Sequence, residues 1–123
     1  SAASDVYKRQ VGDIHKVARR YVVSNEEKAV EEQCKSIGDI GNDIFRMWKT
    51  IELQEDTAGV IAKDADLLEM AFTAKEYIEI GYDSAKDWIE KISKRLRTRS
   101  AKLLIDSLDD ICCNEWWQGL KKL

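Results

Sequence analysis

The fold class follows from one segment, residues 56–82, which reads DTAGVIAKDADLLEMAFTAKEYIEIGY. Apolar side chains recur in it every three or four residues, which is the spacing of one face of a long amphipathic helix. Asp56 and Thr57 are residue types that cap helix N-termini, and Gly81 tolerates the left-handed backbone that often ends a helix. The segment therefore predicts a helix. Its buried stripe comprises Val60, Leu67, Ala71, Ala74 and Ile78, widened by Ile61, Leu68 and Phe72.

The composition also favours an all-α protein. Of the 123 residues, 44% are hydrophobic and 35% are charged, and there is no proline. These values are typical of a helical domain with a modest core. The net charge of −3 gives no electrostatic footprint for nucleic acid, and we expect no membrane partner because no apolar run approaches membrane-spanning length. The three cysteines form neither a disulfide framework nor a zinc spacing, so we expect reduced thiols and a cytoplasmic protein.

Further helices are predicted on both sides of the central one. A short helix over residues 15–23 would follow Asp13 as its N-cap. The next helix would begin at Ser24, with Glu27 completing a capping box. Later helices are expected to begin at Asn42, Ser84 and Ser100.

Two groups near the C-terminus each allow two interpretations. The densest basic cluster comprises Lys91, Lys94, Arg95, Arg97 and Arg99. A solvated helix face explains this cluster most simply, and attraction of a phosphorylated substrate or nucleic acid is the alternative. The adjacent Trp116 and Trp117 predict packing across the end of a helical bundle, and a partner surface is the alternative.

Residues 1–10, SAASDVYKRQ, differ from the rest of the chain because they show no helical periodicity. DVYKRQ at residues 5–10 is also the translation of a transposon-end adapter used in sequencing libraries. We therefore expect residues 1–10 to be a disordered, non-native leader, with an ordinary disordered N-terminus as the alternative.

Asp66 is the candidate functional residue of the central helix. Leu67 and Leu68 follow it directly, so its carboxylate lies near the edge of the predicted buried face, where desolvation is costly without a partner. An ion pair with Lys63 or a solvated border position would explain it without a function. A metal ligand presented by a rigid helix is the other interpretation.

Two motifs connect the chain to a known family. Gly12-Asp13-Ile14 resembles the glycine-aspartate step that closes the His-Asp-x-x-Glu segment of HD-domain metal-dependent phosphohydrolases. KDADLLE at residues 63–69 resembles the later helix that supplies the last aspartate ligand of this family. The similarity extends over residues 11–123 and is strongest to the 5'-deoxynucleotidase branch. Flanking matches are NEEKA at residues 25–29, AKEY at residues 74–77 and EWWQGL at residues 115–120.

The resemblance implies an HD-domain-like helical array that removes phosphate from nucleoside 5'-monophosphates, with a preference for deoxynucleotides. It implies a divalent metal ion, a transition metal or Mg²⁺, whose bound water attacks phosphorus. Asp66 would be a metal ligand, and Asp64 would not. Asp13 would lie near the substrate sugar. Glu69 would support a ligand or a neighbouring helix, with a solvent-facing salt bridge as the alternative.

The sequence departs from the family pattern at its beginning. The family has a histidine on an early helix, a His-Asp pair and a nearby glutamate, whereas His15 follows the glycine-aspartate step and matches none of them. We therefore expect residues 11–123 to be the C-terminal part of one HD domain, without its early helices. This part would retain no complete catalytic set and would have little or no activity alone. The alternative is a non-catalytic helical interaction module that uses the tryptophan end or the basic cluster. A small nucleic-acid binder is a third hypothesis. The sequence does not decide whether the chain forms a homodimer.

Overall fold

A computed structural model of the chain describes residues 2–118, giving the backbone alone for residues 2–6 and 117. In this part of the chain the protein is all-α, as predicted, with six α-helices and no strand. The HD-domain-like arrangement of the helices stays a prediction. The helices are α1 (Ala2–Val11), α2 (Glu26–Lys35), α3 (Gly38–Leu53), α4 (Thr57–Glu79), α5 (Lys86–Ser93) and α6 (Arg99–Asp106). None of these described helices is long and apolar enough to cross a lipid bilayer.

The chain forms two compact units, with the division after Gly59. The sequence predicts a different boundary, between an irregular leader of residues 1–10 and a domain of residues 11–123. Instead, α1 runs across that boundary, and its Tyr7 is buried in the core of the first unit. A short helix without clear periodicity is stabilised by packing more than by its own sequence, which explains the difference. That residues 1–10 are a non-native leader stays a prediction.

The first unit has a small core formed by α1, α2 and α3. Its buried side chains are Tyr7, Ala29, Val30, Cys34 and Trp48. Phe45 stacks on Trp48 with ring centroids 6.1 Å apart. α2 and α3 approach so closely that a Cβ atom on Gly41 would collide with the backbone carbonyl of Cys34.

The segment between α1 and α2 is less regular than predicted. The helix expected over residues 15–23 is absent, and a 3-10 turn at Ala18–Arg20 takes its place. Val17, Val22 and Val23 are exposed, so no packed face stabilises a short helix there. The N-cap of α2 is Asn25, whose side chain accepts a hydrogen bond from the Lys28 N–H at 3.0 Å, and the capping box predicted at Ser24 is wrong.

The central helix α4 closely follows its prediction. The Asp56 carboxylate accepts a hydrogen bond from the Gly59 N–H at 2.7 Å, and Gly81 has a φ of 98°, so both predicted end signals are confirmed. Leu67, Leu68 and Ala71 are buried in the core of the second unit. Ala74 is buried as well, whereas Ile61 is 54% exposed and does not extend the stripe. The remaining core residues of the second unit are Ile92, Leu96, Ala101, Ile105 and Leu108.

The helices after α4 are shorter than the sequence predicts. α5 ends at Ser93, before most of the basic cluster, and Thr98 caps α6 in place of the expected Ser100. Trp116 lies in a 3-10 turn and is 79% exposed, so its predicted packing across a bundle end is wrong. The side chain of Trp117 and the last part of the EWWQGL match, from residue 119 onward, lie outside the described residues.

Candidate functional site

The KDADLLE motif lies entirely within α4, on an unbroken stretch of helix. Asp66 is partly exposed, and so are Ala62 and Met70, one helical turn before and after it. Glu69 is exposed, and its carboxylate accepts a hydrogen bond from the Thr73 hydroxyl at 3.4 Å. Asp66 and Glu69 are three residues apart on one helix, so their side chains project on neighbouring faces.

Asp64 is the buried carboxylate of this motif, with only 3% of its surface exposed. It accepts a hydrogen bond from the Thr98 N–H at 2.7 Å and bonds from the Arg97 N–H at 3.1 Å and 3.2 Å. These contacts attach α4 to the turn that precedes α6, more than thirty residues later in the chain. Asp64 therefore stabilises the second unit, as a buried polar group with satisfied hydrogen bonds.

The electrostatics of Asp64 follow from these contacts. Burial alone would raise the pKa of this carboxyl group, because a charged group loses hydration there. Hydrogen bonds from Thr98 and Arg97, together with the positive charge of Arg97, outweigh that effect and hold the pKa below its ordinary value. Asp64 is therefore ionised at neutral pH, and its oxygens point at backbone donors.

The sequence itself indicates that Asp64 is buried, although its match to the family motif does not. Asp64 comes four residues after Val60 and three before Leu67, so it falls on the apolar stripe of α4. A carboxylate at such a position needs a donor from another segment. Helical periodicity identifies the buried position, but the identity of the donors depends on where the segment after α5 folds.

Asp13 lies in the first unit, in the irregular segment after α1. Its carboxylate is 80% exposed and lies 3.7 Å from the Lys8 ammonium group. It does not cap a helix, because residues 12–15 have no helical structure. His15 accepts a hydrogen bond at Nδ1 from the Val17 N–H at 3.2 Å, a local turn contact. Asp13 belongs to the first unit and Asp66 to the second.

The resemblance implies a divalent metal ion, which several side chains must hold together. Within residues 2–118, no three His, Cys, Asp or Glu side chains form a group that could hold a metal ion. A tight site normally needs at least three protein ligands. The described residues alone therefore do not complete the metal site that the resemblance implies, and Asp66 would need ligands from elsewhere.

Two lysines of the basic cluster, Lys91 and Lys94, form ion pairs on an exposed helix face. Lys91 pairs with Asp87, and Lys94 pairs with Glu90 at 2.6 Å, both across one helical turn. The hydrogen bond to Glu90 raises the pKa of the Lys94 ammonium group. Exposed pairs of this kind contribute little to stability. This geometry favours the solvated interpretation for these two lysines.

Comparisons with known proteins do not add to this picture. A scan against protein-family models matches no family, and searches among curated proteins and solved structures find no similar protein. The functional interpretation therefore depends on the two sequence motifs and on the geometry of α4.

Proposed function

We propose that residues 11–123 are the later part of an HD-domain metal-dependent phosphohydrolase that acts on nucleoside 5'-monophosphates, with deoxynucleotides preferred. In this proposal Asp66 is a metal ligand of the whole enzyme and Asp13 lies near the substrate sugar. Glu69 supports a ligand or a neighbouring helix. The remaining ligands come from sequence that precedes Gly12 in the family pattern.

The different environments of the two motif aspartates carry the proposal. Asp64 is buried and its oxygens accept backbone hydrogen bonds, whereas Asp66 is partly exposed on the same rigid helix. A metal ligand must be accessible to the ion and must be held on a rigid element. This division supports the assignment of Asp66 over Asp64, as the resemblance implies.

The direct test is a phosphate-release assay on the complete gene product, with deoxynucleoside 5'-monophosphates and added divalent metal ions. We expect Asp66→Asn to reduce kcat/KM by at least about 100-fold, because the variant would lose one of the residues that hold the metal ion, and that ion would supply the activated water. Asp106→Asn is the matched control, since Asp106 is an exposed carboxylate of α6, and it should leave the rate unchanged.

Two results would contradict the proposal. One is full activity in the Asp66→Asn variant of the complete protein. The other is phosphate release at an enzymatic rate by residues 11–123 alone, since the described residues contain no group of three metal-binding side chains.

A non-catalytic interaction module is the second candidate, and the exposure of Trp116 favours it. Large exposed aromatic side chains are common at protein-binding surfaces. The two candidates differ in their response to divalent metal ions. A specific metal ion raises the melting temperature of the folded state that binds it, whereas an interaction module should show no such increase.

A further inference from the structure

A cleft in the second unit lies between the C-terminal half of α4 and the segment around Trp116. Its volume is about 440 Å³. The α4 side contributes Thr73, Glu76, Tyr77, Glu79 and Ile80, and the later segment contributes Cys113, Asn114 and Trp116. None of the candidate site residues of the KDADLLE motif lines this cleft.

The two walls of the cleft are held together by Glu79. Its carboxylate accepts hydrogen bonds from the Cys113 N–H at 3.0 Å and 3.1 Å. Glu79 also lies 3.7 Å from the Lys75 ammonium group. These contacts fix the later segment against α4, so the cleft is a formed feature of the second unit.

The chemistry of the lining is aromatic and acidic. Tyr77 is 43% exposed, and the Trp116 side chain has most of its surface free. Glu76 is exposed, and its carboxylate makes no hydrogen bond or ion pair with another side chain in the described part of the chain. Burial raises the pKa of the Cys113 thiol, and the negative charges of Glu79 and Glu76 raise it further. Glu76 and Glu79 are the charged residues that line the cleft, and Lys75 pairs with Glu79, so the carboxylate of Glu76 carries the main negative charge there.

The apolar surface continues beyond the cleft. Tyr77 and Ile80 also line a neighbouring apolar pocket with Tyr82 and Trp88. Tyr77 makes edge-to-face contacts with both rings, with centroids 6.2 Å from Tyr82 and 6.1 Å from Trp88. The cleft and the pocket share Tyr77 and Ile80 and therefore form one continuous surface with room for several side chains, which favours an extended segment over a small molecule.

We propose that this aromatic and acidic cleft binds a segment of a partner protein in which an Arg or Lys side chain is flanked by apolar residues. The cation would lie against the faces of Trp116 and Tyr77, where aromatic quadrupoles attract positive charge. Glu76 would pair with it, and the flanking apolar side chains would cover Ile80 and Tyr82. Charge complementarity with the cleft selects this occupant.

The test titrates the full 123-residue chain with a capped peptide that has one central Arg between Leu residues. A second peptide carries Glu in place of the Arg, and capped arginine amide is the small-molecule probe. Binding is followed by tryptophan fluorescence and isothermal titration calorimetry. We expect the Arg peptide to bind and the other two probes to bind at least about tenfold more weakly, since a repulsive charge or the loss of apolar contacts each lowers affinity.

Four variants test whether binding depends on the cleft or on exposed residues elsewhere. Glu76→Gln should weaken binding by about threefold, as expected for an exposed ion pair, and Trp116→Ala by about tenfold. Asp106→Asn and Leu103→Ala remove an exposed carboxylate and an exposed apolar side chain outside the cleft, and should change nothing. All four residues are exposed, so circular dichroism should show a folded chain in every variant.

Three outcomes would overturn the proposal. They are equal affinity for the Arg and Glu peptides, unchanged affinity in both cleft variants, and arginine amide binding as tightly as the peptide. The absence of binding to a folded chain at millimolar peptide would overturn it as well. None of these outcomes bears on phosphate release, so the failure of this proposal is distinguishable from the failure of the phosphohydrolase proposal.

Discussion

Replacement of Asp64 by Ala should destabilise the second unit more than replacement of any other carboxylate of the KDADLLE motif. Asp64 is 3% exposed and accepts hydrogen bonds from two backbone donors, the N–H groups of Arg97 and Thr98. A hydrogen bond to a charged group contributes at least about 1.5 kcal/mol, so the loss of two predicts a decrease of about 3 kcal/mol in the free energy of unfolding. The control is Asp66→Ala, because Asp66 is partly exposed, and its loss should be below about 1 kcal/mol.

The assay is urea denaturation, followed by circular dichroism and by amide hydrogen exchange in α6. Because folding lowers the pKa of Asp64, its stabilising contribution is present above the ordinary carboxyl pKa and is lost as the pH falls through the lower pKa of the folded state. The difference between the wild type and Asp64→Ala should therefore be large at neutral pH and shrink in strong acid. A loss below about 0.5 kcal/mol at neutral pH, or a loss that is the same at every pH, would refute the reasoning.

Two further predictions concern packing and thiol chemistry. Gly41→Ala should destabilise the first unit by about 1–3 kcal/mol in urea denaturation, because the added Cβ would collide with the backbone carbonyl of Cys34. The control is Asp39→Ala, which changes an exposed side chain of the same helix. Equal stability of the two variants would contradict the close approach of α3 to α2 at Gly41. Iodoacetamide near neutral pH should alkylate exposed Cys112 before the more buried Cys113, since burial raises the pKa of the Cys113 thiol and leaves less thiolate there. Peptide mass spectrometry measures the order, and faster labelling of Cys113 would contradict its burial against α4.

The central helix could be predicted because its signals are local. The Asp56 cap, the positive φ at Gly81 and the burial of Leu67 and Leu68 depend on residues within α4 or next to it. The observed N-cap of α2, Asn25, lies one residue after the predicted cap, Ser24. Both residue types are good caps, and local sequence does not decide between them.

The features that could not be predicted depend on distant contacts. Residues 15–23 have a helical pattern without a packed face, whereas α1 lacks periodicity and forms around a buried Tyr7. The partners of Asp64 are residues 97 and 98, which no spacing rule connects to it. The cleft beside Trp116 arises from the Glu79 contact with Cys113, also between segments that are remote in sequence.

The proposed function predicts metal-binding residues in the sequence that precedes Val11. The DNA upstream of the Val11 codon in the source genome should be sequenced and translated in frame. The proposal predicts a histidine, then a His-Asp pair, and a glutamate a few residues before Gly12-Asp13. A native reading frame that continues through residues 1–10, or an upstream sequence without these histidines, would contradict it and leave the helical interaction module as the better account.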